Sequence, residues 1–245
     1  MGLLGLRAKV MNVRINSRIK NLRGYLYYRI TQIPLVSRFI KELFHVLFYD
    51  SQIFGKTWNN TFWLGTKTSK CPFDLWVYQE IIYDLQPDII IECGTARGGS
   101  ALYLASLCEL IHNGIVITID IVSEARPQDN RVKYLTGSST SGEIVGKVQD
   151  LIKDREKVMV ILDSNHKKEH VLDELIIYSK FVSKNSYLIV EDTHLNNHPV
   201  LPEYGHGPME AVTAFLKVNN DFEVDRKREK YYLTFNPNGF LRKIR

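Results

Sequence analysis

Ile89-Ile90-Ile91-Glu92-Cys93-Gly94-Thr95-Ala96-Arg97-Gly98-Gly99-Ser100 is the stretch on which the fold turns. Three consecutive isoleucines read as a strand buried on both faces, and the small residues after Cys93 read as a tight turn into a helix. Glycines in such a turn let backbone approach a ligand where a Cβ would collide, and the first turn of the helix offers unpaired N–H donors. The spacing is neither Gly-x-Gly-x-x-Gly nor Gly-x-x-x-x-Gly-Lys, the patterns of dinucleotide and nucleoside triphosphate sites. What remains is acid-x-Gly-x-x-x-Gly, which suits a group carrying positive charge. A purely structural turn is the competing reading.

Working outward, strand alternates with helix. A helix at about 74–85 precedes strand 88–93, followed by helix 100–112, strands 115–121 and 132–136, and helix 143–153. Strand 158–163, helix 168–181, strand 187–190, helix 208–219 and strands 222–226 and 231–235 complete the body. This order predicts an α/β domain with a mostly parallel sheet covered on both faces. Residues 51–72 lack a period and read as a loop or cap. Before them, apolar residues with interspersed Arg and Lys, broken at Pro34, predict two basic amphipathic helices from Leu3 to about Tyr49.

In such a sheet the carboxyl ends of the parallel strands share one rim, where ligands bind. Asp120 ends the strand after the glycine turn, where an acid accepts ribose hydroxyls. Gly137-Ser138-Ser139-Thr140-Ser141 follows the next strand and is placed to meet an adenine, or is only a polar loop. Asp163 and the pair Glu191-Asp192 end two further strands, so three carboxylates should converge. They repel unless a cation lies among them, and hard oxygen donors favour Mg²⁺, Ca²⁺ or Mn²⁺. Each acid alone could instead cap a helix.

His166 lies three residues beyond Asp163, where a neutral imidazole could take a proton from a hydroxyl. His166-Lys167-Lys168-Glu169-His170 also fits the inverted zinc-peptidase pattern, which requires a long helix rather than the end of a buried strand. His170 then reads as a supporting residue. His194, His198 and His206, with Tyr204, Gly205 and Gly207, lie on a polar loop that is a substrate lid or a simple connection.

The chain has 245 residues, 44% apolar and 24% charged, with a net charge of +5. Residues 1–50 hold nine Lys/Arg against Glu42 and Asp50, a net of +7, leaving −2 for the rest. A nearly neutral body argues against nucleic acid as a partner. Cys71, Cys93 and Cys108 have no metal or redox spacing and predict reduced thiols in a cytosolic protein. Arg7, Arg14 and Arg18 interrupt any signal-type run, no segment is long and apolar enough to span a membrane, and Leu6 departs from the myristoylation pattern after Met1-Gly2.

Taken together, Glu92-x-Gly94-x-x-x-Gly98, Asp120, Asp163 and Glu191-Asp192 resemble the class I S-adenosylmethionine-dependent methyltransferases. Tyr78-Gln79-Glu80, Ile91 to Leu102, Leu162-Asp163-Ser164-x-His166-x-x-x-His170-Val171, Val190-Glu191-Asp192-Thr193 and Gly205-x-Gly207-Pro208-x-Glu210-Ala211 make the combined text similar to the cephalosporin hydroxylase family. Relatives of that family include rhamnosyl and macrolide-sugar O-methyltransferases. The resemblance covers about residues 72–240 and implies a Rossmann-like, seven-stranded sheet whose last strand is antiparallel. It implies S-adenosylmethionine at Glu92, Gly94, Thr95, Ala96, Arg97, Gly98, Ser100, Asp120 and Ser139, and Mg²⁺ on Asp163, Glu191 and Asp192. His166 would be the base, acting beside Asp163.

The expected organisation is a helical extension and cap, 1–71, followed by a methyltransferase domain, 72–245. The expected reaction is methyl transfer to a hydroxyl of a sugar, glycolipid or related natural product. One rival is an Fe²⁺ oxygenase using His166, His170 or His194 with a carboxylate; another is an inactive methyltransferase-like protein that binds a membrane surface. A homo-oligomer is expected. Residues 1–50 either attach the enzyme to the inner face of an anionic membrane or pair with a second subunit.

Overall fold

The computed structural model describes residues 21–152 and 157–245. The expected helix from Leu3 therefore falls largely outside the described residues, as do Arg7, Arg14 and Arg18. The described part begins with α1, residues 21–31, and α2, Pro34–Asp50. Pro34 separates them because it has no N–H to continue a helix yet fits the first turn of the next. Residues before His45 fall in one compact unit and His45–Arg245 in another. The second unit thus begins at His45, within α2.

Within the second unit, 51–71 is more ordered than a loop. Two short 3₁₀ turns, Ser51–Phe54 and Thr57–Asn60, lead to a hairpin of β1 (Phe62–Trp63) and β2 (Thr66–Lys67). The alternating body follows: α3 (Pro72–Leu85), β3 (Ile89–Cys93), α4 (Gly99–Leu110), β4 (Ile115–Asp120), β5 (Val132–Thr136), α5 (Gly142–Leu151), β6 (Val158–Leu162), α6 (Lys168–Tyr178), β7 (Tyr187–Val190), α7 (Pro208–Val218), β8 (Phe222–Val224) and β9 (Phe240–Lys243). The large sheet has seven strands in the order β5-β4-β3-β6-β7-β9-β8. β5 through β7 in that order are parallel, and β9 runs antiparallel to both neighbours.

β3, β6 and β7 are buried throughout, which is why their sequences show no polar alternation. Successive side chains nonetheless serve opposite faces. Ile89, Ile91 and Cys93 join Val160, Leu162 and Val190 against Val148, Leu175 and Phe215 of α5, α6 and α7. Ile90, Met159 and Ile189 join Tyr78, Ile81 and Leu104 of α3 and α4. Burying an aliphatic side chain stabilises by about 1.5–3 kcal/mol, so these two layers hold the domain together.

One expected strand is misplaced. Residues 231–235 form no strand; the antiparallel seventh strand is Phe240–Lys243. Tyr232 has φ 66°, which breaks extended backbone. The Phe235 N–H donates to Asp74 Oδ2 at 2.8 Å and the Thr234 hydroxyl to Asp74 Oδ1. Those donors are satisfied by the acid in the first turn of α3 instead of a sheet partner. Leu233 and Phe235 pack with Cys71, Phe48, Tyr49, Trp58 and Phe73. Cys71, Cys93 and Cys108 are buried and unpaired, as expected.

Candidate active site

The glycine turn lies against the end of β6. Gly94 has φ +104°, and a Cβ on it would come within 1.9 Å of the Asp163 carbonyl oxygen. Only glycine allows this approach, so the turn and the first rim acid are in contact. Gly99 is closed in a second way, since a Cβ there would meet the Lys67 carbonyl oxygen at 2.3 Å.

Glu92 is 1% exposed. Its Oε2 accepts from the Thr118 hydroxyl at 2.6 Å, while Oε1 is buried with no hydrogen-bond partner among the described residues. Burial pushes its carboxyl up to about 7, against the lowering pull of Lys70 and of the Ser100 and Thr118 hydroxyls. An orphaned buried carboxylate oxygen fits a cationic ligand. Thr95, also buried, bonds Thr118 at 2.6 Å and steadies the same corner.

Asp120 ends β4 and accepts from Ala96 N–H at 2.8 Å and Val122 N–H at 2.9 Å. Oδ2 also lies 3.6 Å from the buried Arg126 guanidinium, and Oδ1, with Val122 N–H alone, keeps a lone pair for a ligand hydroxyl. Gly94, Ala96, Asp120, Ser138, Ser139 and Asp163 line one cavity of about 420 Å³, together with Ser164, Asn165 and His170. Its far wall is a network around Glu174, fully buried, whose Oε1 accepts from the hydroxyls of Ser139 and Ser164 and lies 3.4 Å from His170 Nε2. The Glu174 hydrogen bond holds the His170 imidazolium above its ordinary range. Arg97 does not line this cavity; its exposed side chain pairs with Glu124 at 3.4 Å. Gly98 caps α4 with φ 80°.

The acids do converge. Asp163, His166 and Asp192 each offer a ligand atom, all within 4.8 Å of one another. His166 Nε2 is 3.1 Å from Asp192 Oδ2 and 3.9 Å from Asp163 Oδ1. Two carboxylates and one imidazole, all partly open to solvent, form a donor set that fits a hard divalent cation. Glu191 is close but turned inward. Its Oε1 accepts from the Tyr78 hydroxyl at 2.9 Å and pairs with Lys70 Nζ at 2.6 Å. Lys70 also pairs with Asp163. Burial raises the carboxyls of Asp163, Glu191 and Asp192, and mutual repulsion adds to this. Burial works against the Lys70 ammonium, but Asp163, Glu191 and Glu92 outweigh it and hold the group above its ordinary range.

Sequence reasoning passed over Lys70, Tyr78's role, Asn236 and His45. Lys70 lies in an aperiodic segment, so nothing in the local text marks it as buried. Asn236 donates to the Tyr78 oxygen at 2.9 Å and accepts from Asp192 N–H at 3.1 Å. His45 bonds the fully buried His194 at 2.9 Å, and the other ring nitrogen of His194 lies 3.4 Å from Asp192 Oδ1. The His-x-x-Glu-His pattern is split between two places, because His166 faces Asp192 while His170 faces Glu174. His198 and Asn196 bond Glu210, so the loop after His194 is braced onto the first turn of α7.

Residues 55–244 match the family described as Rhamnosyl O-methyltransferase/CmcI. A rhamnosyl O-methyltransferase of Mycobacterium tuberculosis (strain ATCC 25618 / H37Rv) is 36% identical over 91% of this chain and 90% of its own length. One from Mycobacterium leprae (strain TN) is 37% identical over 82% and 90%. Among solved structures, CmcI with Mg and SAM superposes with a TM-score of 0.59 at 18% identity, covering 76% of this chain and 78% of that one. An apo form of CmcI gives 0.60 at 18% identity, over 76% and 77%. With most of its length inside the family match and relatives above one-third identity along nearly all of it, the chain belongs to the rhamnosyl O-methyltransferase/CmcI family.

Proposed function

We propose that this S-adenosylmethionine-dependent O-methyltransferase transfers a methyl group to a hydroxyl of a sugar, glycolipid or related natural product, with Mg²⁺ at the acidic rim. The observation that carries the reading is the double membership of Asp163. It lines the glycine-turn cavity and also belongs to the carboxylate–imidazole cluster, so methyl donor and acceptor hydroxyl would meet at one residue. The names of the relatives add the rhamnosyl acceptor as the first class to try.

In this reading Asp120 accepts the ribose hydroxyls, Ser139 and the Glu174 network face the adenine, and the free Glu92 oxygen meets the positive end of the donor. Gly94, Thr95, Ala96, Gly98 and Ser100 shape the turn around it. Arg97, turned outward to Glu124, drops to the outer edge of the set. Asp163 and Asp192 would hold the divalent cation, with Glu191 and His166 on its flanks, and the cation would supply Lewis-acid polarisation of the acceptor hydroxyl. His166 takes the acceptor proton, and Asp192, 3.1 Å from its Nε2, stabilises the imidazolium that results. The acceptor oxygen then bonds the methyl carbon as the carbon–sulfur bond breaks, and the electron pair neutralises the sulfonium. Orientation by the rim supplies much of the rate.

Peripheral attachment of a cytoplasmic enzyme to an anionic membrane belongs to the same proposal. No helix of the described residues is long and apolar enough to cross a membrane. The described helices before His45 expose Leu22, Tyr25, Leu26, Phe39 and Leu43 beside Arg23, Arg29, Arg38 and Lys41. Apolar side chains flanked by bases suit an interfacial helix. Sedimentation with anionic vesicles should fall steeply with salt, and deletion of residues 1–44 should abolish it. A dimer that becomes monomeric on the same deletion, with vesicle binding unchanged, would favour oligomerisation instead.

The central test is calorimetry with S-adenosylmethionine and its demethylated product, followed by methyl transfer to a panel of rhamnosides with and without chelator. Binding in the micromolar range and chelator-sensitive transfer are expected. Absence of binding, or activity only with Fe²⁺ and oxygen uptake, overturns the reading. The oxygenase is disfavoured by the cluster itself, which gathers two acids and one histidine where that chemistry calls for the reverse.

A further inference from the structure

Four carboxylates, Glu92, Asp163, Glu191 and Asp192, crowd one rim, and among the described residues Lys70 is the ammonium paired with two of them. Its residue is only 6% exposed, its Nζ is 2.6 Å from Glu191 Oε1, and it pairs with Asp163 Oδ2. The stem is fixed. Lys70 N–H donates to the Thr61 hydroxyl oxygen at 3.1 Å, that hydroxyl donates to the Trp58 carbonyl oxygen at 2.7 Å, and Pro72 starts α3 two residues on. The ammonium lies along the inner Asp163–Glu191 edge, which Tyr78 closes. The outer Asp163–Asp192 edge, flanked by His166, is the open one.

We propose that Lys70 is a tethered counter-ion of the acidic rim, a positioning residue that neutralises the Asp163–Glu191 edge and leaves the Asp163–Asp192 edge to take one divalent cation. The inference rests on the proposed methyltransferase reading. Charge accounts for the arrangement. With cation and donor bound, the charge of the four carboxylates would be offset by one ammonium, one divalent cation and the net single positive charge of the sulfonium donor. A lysine is a compact point charge with three donors, able to serve two carboxylates at once without closing the outer edge. It also lets the rim stay folded before the cation arrives, since buried like charges without a partner destabilise strongly.

The test uses the full chain carrying Lys70→Met, which keeps the stem's bulk and removes the charge. Wild type should melt at nearly the same temperature in chelator and in Mg²⁺. Lys70→Met should melt about 5 °C or more lower in chelator and regain most of that in Mg²⁺. Its affinity for Mn²⁺, followed by electron paramagnetic resonance without donor or acceptor, should rise about tenfold or more. If Lys70→Met is poorly folded, the charge-balanced pair Lys70→Met/Glu191→Gln decides, because it should restore chelator-independent melting only if charge is the function of Lys70. Unchanged Mn²⁺ affinity in Lys70→Met, or no rescue by the second substitution, overturns the proposal. Wild type that binds S-adenosylmethionine but no Mn²⁺ overturns it too, and locates the failure in the metal reading beneath it.

Discussion

The two halves of the rim are built differently. The half proposed for the donor, from Glu92 to Asp120 and Ser139, is assembled from three consecutive strand ends and their turns, and its key bonds span 26 positions, Thr118 to Glu92, and 24, Ala96 N–H to Asp120. The acceptor half is assembled from afar. Lys70 reaches Glu191 across 121 positions, Asn236 reaches Tyr78 across 158, and His45 reaches His194 across 149. A half made of local turns is held by backbone geometry. A half made of distant side chains depends on charge and on each partner being present, so single substitutions should damage it more.

Asp163 joins the halves and should give the largest effect. Asp163→Ala removes a cluster ligand and leaves Lys70 with Glu191 alone, so transfer should fall by about 10³-fold or more while donor binding changes little. Single-turnover rates beside calorimetry check this; an equal loss in donor affinity would mean that the halves are not separable. His166→Ala comes next, with a loss of about 10²–10⁴-fold in kcat and an unchanged affinity for Mn²⁺ if the imidazole is the base. Should Mn²⁺ affinity drop with it, His166 is a ligand, and the base must be sought elsewhere.

The same contrast explains what could be read from the sequence. β3, β6 and β7 stood out because both faces are covered, which removes polar residues and leaves Ile89-Ile90-Ile91 and Val158 to Leu162 unmistakable. Asp120, Asp163, Glu191 and Asp192 followed from strand ends alone. Lys70 could not, because its burial is created by carboxylates remote in the chain. Residues 231–235 have strand-like aromatic and β-branched composition, yet Asp74 takes their donors, while the modest Phe240-Leu241-Arg242-Lys243 pairs with both β7 and β8. Arg97 sits inside the glycine motif but points to Glu124, since position in a motif does not fix where a long side chain goes.

Asp120 probes the local half. On the proposed reading Asp120→Ala would remove two ribose hydrogen bonds worth about 1–1.5 kcal/mol each, so the affinity for the demethylated donor should drop by roughly a hundredfold, with kcat at saturation kept. Asp120→Asn sharpens the test: it keeps one acceptor for Ala96 N–H or Val122 N–H and should lose less.

The smallest effect should come from Asp74, which supports the acceptor half from beneath by holding Thr234 and Phe235 next to Asn236. Burial pushes its carboxyl up to about 7, from an ordinary value of 3.8, even though the Thr234 and Phe235 hydrogen bonds pull it down. Between those two values the folded chain keeps a proton that the unfolded chain has lost. Stability from this group is therefore full below about pH 4 and declines as pH rises toward 7, with a slope of at most about 1.4 kcal/mol per pH unit. Asp74→Asn cannot ionise and should remove that slope while preserving an acceptor for Phe235 N–H. Denaturant melts of both proteins at pH 5 and 6 measure the difference, which should be near tenfold in the folding equilibrium. Parallel pH profiles for the two would mean that Asp74 stays ionised in the folded protein, and that the acceptor half tolerates one more carboxylate beside Asp163, Glu191 and Asp192.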